Sequence, residues 1–293
     1  MRSLVLFRNN LRIDDNPILF NASKNSDIIP VYIHDDINFR KKLGSGTKYW
    51  LHHALLSLNK SIDNKLHFFK GDTVEILIDI VKKYNIDDIY YEEPFLEDDL
   101  MLHHIISDAM NLNNIIVRTF NSSLLWKPYD ILKDDGTPYK VFSPFYKKRC
   151  LYSLPDKPVG KLQNANFIKI SDTSIDSLEL LDRYRWFDKF DGLWDISENA
   201  ANDILNNFIK KSIYDYKKGR DFPSINKTSK LSPYIRFGMI SVHRIWEVLN
   251  EKISETGLDE NVMHFQSEIG WREFSYYLLY HFPNMSDHNL QAK

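Results

Sequence analysis

Two hydrophobic periods alternate through the first ~120 residues, and that alternation constrains the fold more than any other feature of the chain. Short apolar, β-branched runs occur at Ser3–Phe7, Ile28–Ile33, Leu66–Phe69, Asp88–Tyr91 and Ile115–Phe120, each of strand length. Segments with helical spacing lie between them. In Tyr49–Ile62 the residues Trp50, Leu51, Ala54, Leu55, Leu58 and Ile62 form one apolar stripe. Val74–Tyr84 repeats the pattern through Leu77, Ile78 and Val81, with Thr73 expected as its N-cap. Strand–helix–strand repetition calls for parallel strands joined by right-handed crossovers. The expected fold is therefore α/β, with an N-terminal Rossmann-like doubly wound parallel sheet. Ligands of such sheets sit at the carboxyl ends of the strands.

From Ser122 to Ser197 the periodicity fades. Pro128, Pro138, Pro144, Pro155 and Pro158 interrupt this stretch, and Lys161–Ser177 is polar and loose, as in a connection that wraps over a surface. Helical spacing then returns. Ser197 is expected to cap a helix through Ala201, Ile204, Leu205, Phe208 and Ile209. Ser241 is expected to cap a second over Ile240–Ile253, and a third over Val262–His281 stops at Pro283. The expected organisation is an α/β domain over 1–130, a linker over 131–196 and a helical region over 197–293. The length of 293 residues agrees with two domains.

Composition narrows the function classes. The single cysteine, Cys150, excludes an internal disulfide and a cysteine zinc cluster, and it fits a reducing, cytoplasmic setting. The N-terminal apolar run is too short for a signal peptide, and nothing is long and apolar enough to span a membrane. His52-His53 and His103-His104 are adjacent pairs whose side chains diverge on a helix, so no metal site is expected. Dinucleotide, P-loop, zinc-protease and serine-hydrolase motifs are all absent. The aromatic share of 14% suits either a Tyr- and Phe-rich core or a surface that stacks flat ligands. Net charge is only −2 but unevenly placed. Between Asp72 and His104 ten acids face only Lys82 and Lys83, and between Lys210 and Lys252 ten bases face four acids. The basic stretch can hold a polyanion or form a solvated helical face.

The run Glu268-Ile269-Gly270-Trp271-Arg272-Glu273-Phe274 reads as one wall of a binding cup. Trp271 offers a flat face there, and Glu268 and Arg272 offer hydrogen bonds. A spacing of three puts Glu268 and Trp271 on one helix face, whereas Phe274 and Leu278 fit the buried stripe. Thr228-Ser229 reads either as a helix cap before Leu231 or as part of a phosphate-binding loop.

Four runs in order resemble the photolyase/cryptochrome family. They are Leu4–Pro17 (LVLFRNNLRIDDNP), Pro138–Phe145 (PYKVFSPF), Arg220–Pro223 followed by Thr228–Gly238 (TSKLSPYIRFG), and Glu268–Phe274 (EIGWREF). Within that family the chain is most like a class I cyclobutane pyrimidine dimer DNA photolyase. The resemblance implies FAD held in a helical domain, with Tyr216 and Arg272 near the flavin or its phosphates and Thr228, Ser229, Lys230, Leu231 and Ser232 on the pyrophosphate. It implies UV-damaged DNA as partner, met by Glu268 to Ser275, with Glu268 and Trp271 receiving the flipped pyrimidine pair. A desolvated Glu268 would have a raised pKa and could donate a proton-bearing hydrogen bond. The implied reaction is light-driven electron transfer from reduced FAD to the dimer, in a protein expected to be a monomer. A methenyltetrahydrofolate or deazaflavin antenna on the first domain is a family feature. The matching stretch Tyr91–Asp99 is short and acidic, which leaves its presence open. In the family the helical domain runs well beyond the EIGWREF motif, so the chain is expected to carry its first part and to bind FAD weakly or not at all. A cryptochrome-like photoreceptor and an inactive remnant are the alternative expectations.

Overall fold

The computed structural model describes residues 1–24, 27–39, 42–181, 184–257 and 259–290. Five parallel strands, β1 (Arg2–Phe7), β2 (Asp27–His34), β3 (His67–Lys70), β4 (Asp88–Glu92) and β5 (Ile116–Phe120), form one sheet in the order β3-β2-β1-β4-β5. The expected α/β doubly wound sheet is present, with the order reversing beside β1. Alternate side chains of β1 enter different cores, as the pleat requires. Val5 and Phe7 join the helices α1 (Pro17–Ala22) and α2 (Ser45–Ser61) on one face. Leu4 and Leu6 join α3 (Thr73–Tyr84) and α4 (Glu97–Leu112) on the other.

Local chemistry sets the helix ends. Asp72, and not Thr73, caps α3: its carboxylate accepts from the N–H groups of Val74 and Glu75. The Thr73 hydroxyl turns instead to Asp35, donating at 2.7 Å, and so ties α3 to the end of β2. α1 and α4 are absent from the sequence expectation because their apolar stripes are thin. α4 buries only Leu102, Ile106 and Met110, about one residue per turn.

The polar connection is pinned along much of its course. β3 pairs with β2 only from Val31 onward, leaving the edge of Ile28 open. Phe167 bridges that edge, with Ile28 N–H donating to the Asn166 carbonyl and Ile168 N–H to the Ile28 carbonyl, both at 2.8 Å. Buried His67 donates from Nδ1 to the Pro30 carbonyl and accepts from Ile170 N–H at Nε2. Burial lowers its pKa, which favours the neutral ring that this arrangement needs.

The helical region comprises α5 (Phe142–Lys148), α6 (Glu198–Asn207), α7 (Tyr216–Gly219), α8 (Ser232–Arg236), α9 (Val242–Thr256) and α10 (Glu260–His281). Ser197 and Ser241 are N-caps, accepting from Ala200 N–H and Arg244 N–H. The core of this region is continuous with one face of the sheet, from Phe7 and Leu55 through Phe145 to Leu249 and Phe274.

The joint is the loop after β1. Arg12 is 2% exposed. Its guanidinium donates to the carbonyls of Asp15, Gly238 and Ser122 at 2.8–3.1 Å. Asp15 accepts from Val159 N–H and from the Ser241 hydroxyl. Leu11 N–H donates to the Phe237 carbonyl. Gly238 is required here: its φ is +61°, and a Cβ would stand 1.9 Å from the Asn9 carbonyl oxygen. Glu198, in the first turn of α6, accepts from the N–H groups of Ile13 and Asp14 at 2.7 and 2.9 Å.

Burial pushes the Glu198 carboxyl up to about 7, against the lowering effect of those two donors. The folded state thus holds this proton more tightly than the unfolded chain does. The stability it contributes is full below the ordinary carboxyl range and is lost as pH rises through about 7. Urea denaturation of wild type and Glu198→Gln across this range should show it. We expect wild type to lose stability relative to the variant as pH rises, by at most ~1.4 kcal/mol per pH unit. The pKa of buried His243 is lowered to about 4, giving a slope of opposite sign that is common to both proteins and cancels in the difference. A difference independent of pH would rule out Glu198 as the titrating group.

Candidate functional site

On α10, His264, Glu268, Trp271 and Ser275 follow at helical spacing and share one face. The opposite face buries Val262, Ile269, Glu273 and Tyr277, with Phe265 and Phe274 buried on its flanks. Trp271 is 47% exposed, the expected placement for a side chain that receives a flat ligand. One of its ring faces is already covered. Phe142 of α5 stacks on it with centroids 3.7 Å apart and planes 13° apart, and Tyr146 stacks behind Phe142 at 5.2 Å and 11°.

Glu268 is half-buried and forms an ion pair with Arg220. His264 stands 3.3 Å from the same guanidinium. Hydrogen bonding to Glu268 holds the Arg220 guanidinium above its ordinary pKa. Glu268, expected from the sequence to be desolvated, keeps partial exposure and lies beside the Arg220 cation. Desolvation falls instead on Glu273, which is 2% exposed. Burial raises its pKa, while Arg272 and the backbone N–H groups of Leu125 and Trp126 oppose that rise.

Several expected contacts are corrected by burial. Ile269, Gly270, Glu273 and Phe274 lie inside and offer no surface to DNA. Arg272 is engaged by Glu273 at 2.6 Å and lies over the ring of Tyr276. Glu268, Trp271 and Ser275 remain on the accessible face. Tyr216 is 6% exposed and packs its ring against Phe208 and Phe265, with Arg220 above it.

In the loop before α8, Thr228 and Lys230 are exposed, Ser229 is half-buried and Leu231 is fully buried as a core anchor, while Ser232, the first residue of α8, is exposed. Lys230 adopts a left-handed conformation, φ +55°, and α8 has no side-chain N-cap. Ser229 Oγ accepts from Leu231 N–H at 3.4 Å, a long contact of the kind the cap reading called for. Hydroxyls, a lysine and no carboxylate form a donor set whose chemistry fits a pyrophosphate. The long basic stretch is less of a polyanion platform than its sequence implies. Lys217 pairs with Glu260, Lys227 with Asp215, Arg244 with Glu247 and Lys252 with Glu255.

A second site opens at the carboxyl ends of β1, β2 and β4, where the strand order reverses. This cavity of about 840 Å³ is walled by Arg8, His34, Asp35 and the start of α4, and closed from the helical region by Arg236 and Leu279. The acidic run Glu97-Asp98-Asp99 is the first turn of α4, where carboxylates complement the helix dipole. Asp99 is paired with Arg8 at 2.7 Å.

Sequence reasoning missed Phe142 and Arg220 as partners of Trp271 and Glu268. The i, i+4 spacing of Phe142 and Tyr146 signals a shared face, but nothing local says which residue that face meets.

The family model described as DNA photolyase matches residues 3–161. A deoxyribodipyrimidine photo-lyase of Agrobacterium fabrum is 30% identical over 98% of this chain and 60% of its own length. Cryptochrome-1 of Arabidopsis thaliana is 28% identical over 96% of this chain and 43% of its own. The crystal structure of a bacterial class III photolyase from Agrobacterium tumefaciens superposes with a TM-score of 0.89 at 29% identity, covering 99% of this chain and 61% of that one. The chain thus spans about 60% of the length of the photolyase relative it matches.

Gly270 supplies the test of the aromatic packing. A Cβ there would come within 2.6 Å of the Tyr146 ring. Gly270→Ala should destabilise the fold by ~1–3 kcal/mol through overpacking, read as a lowered urea midpoint with an unchanged slope. No change in midpoint would show that Tyr146 gives way freely.

Proposed function

The chain belongs to the DNA photolyase family, and on that footing we propose that it acts in light-driven repair of cyclobutane pyrimidine dimers in DNA. The observation that carries this reading is Trp271: a half-exposed indole, backed on one side by Phe142, on the same helix face as Glu268. A dimer inside a duplex is out of reach, so the damaged pair is flipped out at a cost of a few kcal/mol, least for damaged bases. Stacking on Trp271 recovers ~1–3 kcal/mol of that cost. Glu268, oriented by Arg220, offers acceptor oxygens to the ring N–H of a pyrimidine. Exposed Lys147 and Lys148, on the helix that bears Phe142, meet backbone phosphates beside the flipped bases.

FAD is the proposed cofactor, with its phosphates on Thr228, Ser229, Lys230 and Ser232 and on the backbone at Leu231. Bound there, a reduced flavin supplies the light-absorbing electron donor. The chain's own part is to hold the lesion and the phosphates and to keep Glu268 oriented. The cavity at the strand ends is the proposed place for an antenna chromophore, a folate or a deazaflavin, because doubly wound sheets bind ligands at that reversal.

The test is binding to a duplex carrying one cyclobutane thymine dimer and to the same duplex undamaged, over a range of salt. We expect a preference for damaged DNA and an affinity that falls steeply with salt. Trp271→Ala should weaken binding to dimer DNA by ~1–3 kcal/mol and leave undamaged DNA little changed. Equal affinity of the wild-type chain for both duplexes would refute the repair reading and favour a cryptochrome-like photoreceptor.

A further inference from the structure

We propose that Phe142 is a positioning residue for Trp271, fixing the plane of the indole so that only its outer face receives a base. This rests on the reading that Trp271 meets flipped bases, and it names the residue through which the linker controls that contact. Phe142 and Tyr146 lie one turn apart on α5 and Trp271 lies on α10, so the three rings form a near-parallel column across two helices. The column is anchored at its inner end. Tyr146 is 5% exposed and sits against Gly270, whose missing side chain leaves room for that ring. At its outer end Trp271 is open to solvent, and Phe274 touches it only edge-on, at 6.0 Å and 71°.

An exposed indole on a helix samples several rotamers, and each would present a different plane to a ligand. Stacking at 3.7 Å selects one of them before any base arrives. Pre-organising a flat contact in this way reduces what binding must spend on ordering it. Phe142 itself is half-buried and reaches the ligand only through Trp271.

Two measurements on the full chain test this. In the first, the Trp271 share of the fluorescence is isolated by subtracting the spectrum of Trp271→Phe, in wild type and in Phe142→Ala. We expect lower anisotropy and stronger acrylamide quenching of that share in Phe142→Ala, with Phe142→Tyr restoring wild-type values. Unchanged anisotropy and quenching would overturn the proposal whether or not DNA binds. In the second, Phe142→Ala should lower the preference for dimer-containing over undamaged duplex by ~2- to 10-fold. It should have no further effect in a Trp271→Ala background, since the two residues act as one unit. A wild-type preference that survives Phe142→Ala intact would also overturn it. A wild-type chain with no preference refutes the repair reading, and the fluorescence result then decides on Phe142 alone. Should Phe142→Ala lose its far-UV circular dichroism, Phe142→Leu takes its place, keeping apolar contact without a ring.

Discussion

A buried guanidinium organises this protein. Arg12 has given up bulk water, and burial presses its pKa down. A desolvated cation is tolerable only when its donors are satisfied, and here carbonyls from its own loop and two distant segments do so: Asp15, Ser122 after β5, and Gly238 after α8. Any relative movement of sheet, linker and helices would strand the charge. Gly238 makes the approach possible, since any side chain there would strike the backbone of Asn9. Asp15, Ser241 and Glu198 extend the same joint, so the loop after β1 serves as the fastening between the α/β layer and the helices.

With that joint fixed, α10 can have two unlike faces. Its inner face is packed through Val262, Ile269 and Tyr277, and it is locked to the segment after β5 by buried Glu273. Its outer face carries Glu268 paired with Arg220 and Trp271 stacked on Phe142. Both partners come from elsewhere in the chain. The rigid inner face is what lets the outer face keep a defined geometry.

Features governed by a few neighbouring residues were legible without coordinates. The five strands follow short apolar runs, and Ser197 and Ser241 cap the helices they precede because capping is a contact across three residues. Thr73 failed as a cap because Asp72, one residue earlier, is the stronger acceptor and Asp35 claims the threonine hydroxyl. The connection looked loose since its anchors, Ile28 and His67, are strand residues far away in sequence. The basic stretch looked like a polyanion platform, but Glu260, Glu247 and Glu255 neutralise much of it across helix surfaces.

The sequence by itself determined the doubly wound sheet, the family, and the pairing of Glu268 with Trp271 on one helix face. Each of these is written in local period or in contiguous motifs. Tertiary structure alone decided what surrounds that pair: the cation beside Glu268, the ring behind Trp271, and the burial of Ile269, Gly270, Glu273 and Phe274 within the same motif. The reason is that charge state and exposure depend on groups brought close only by packing. No local pattern records which distant residue will arrive there.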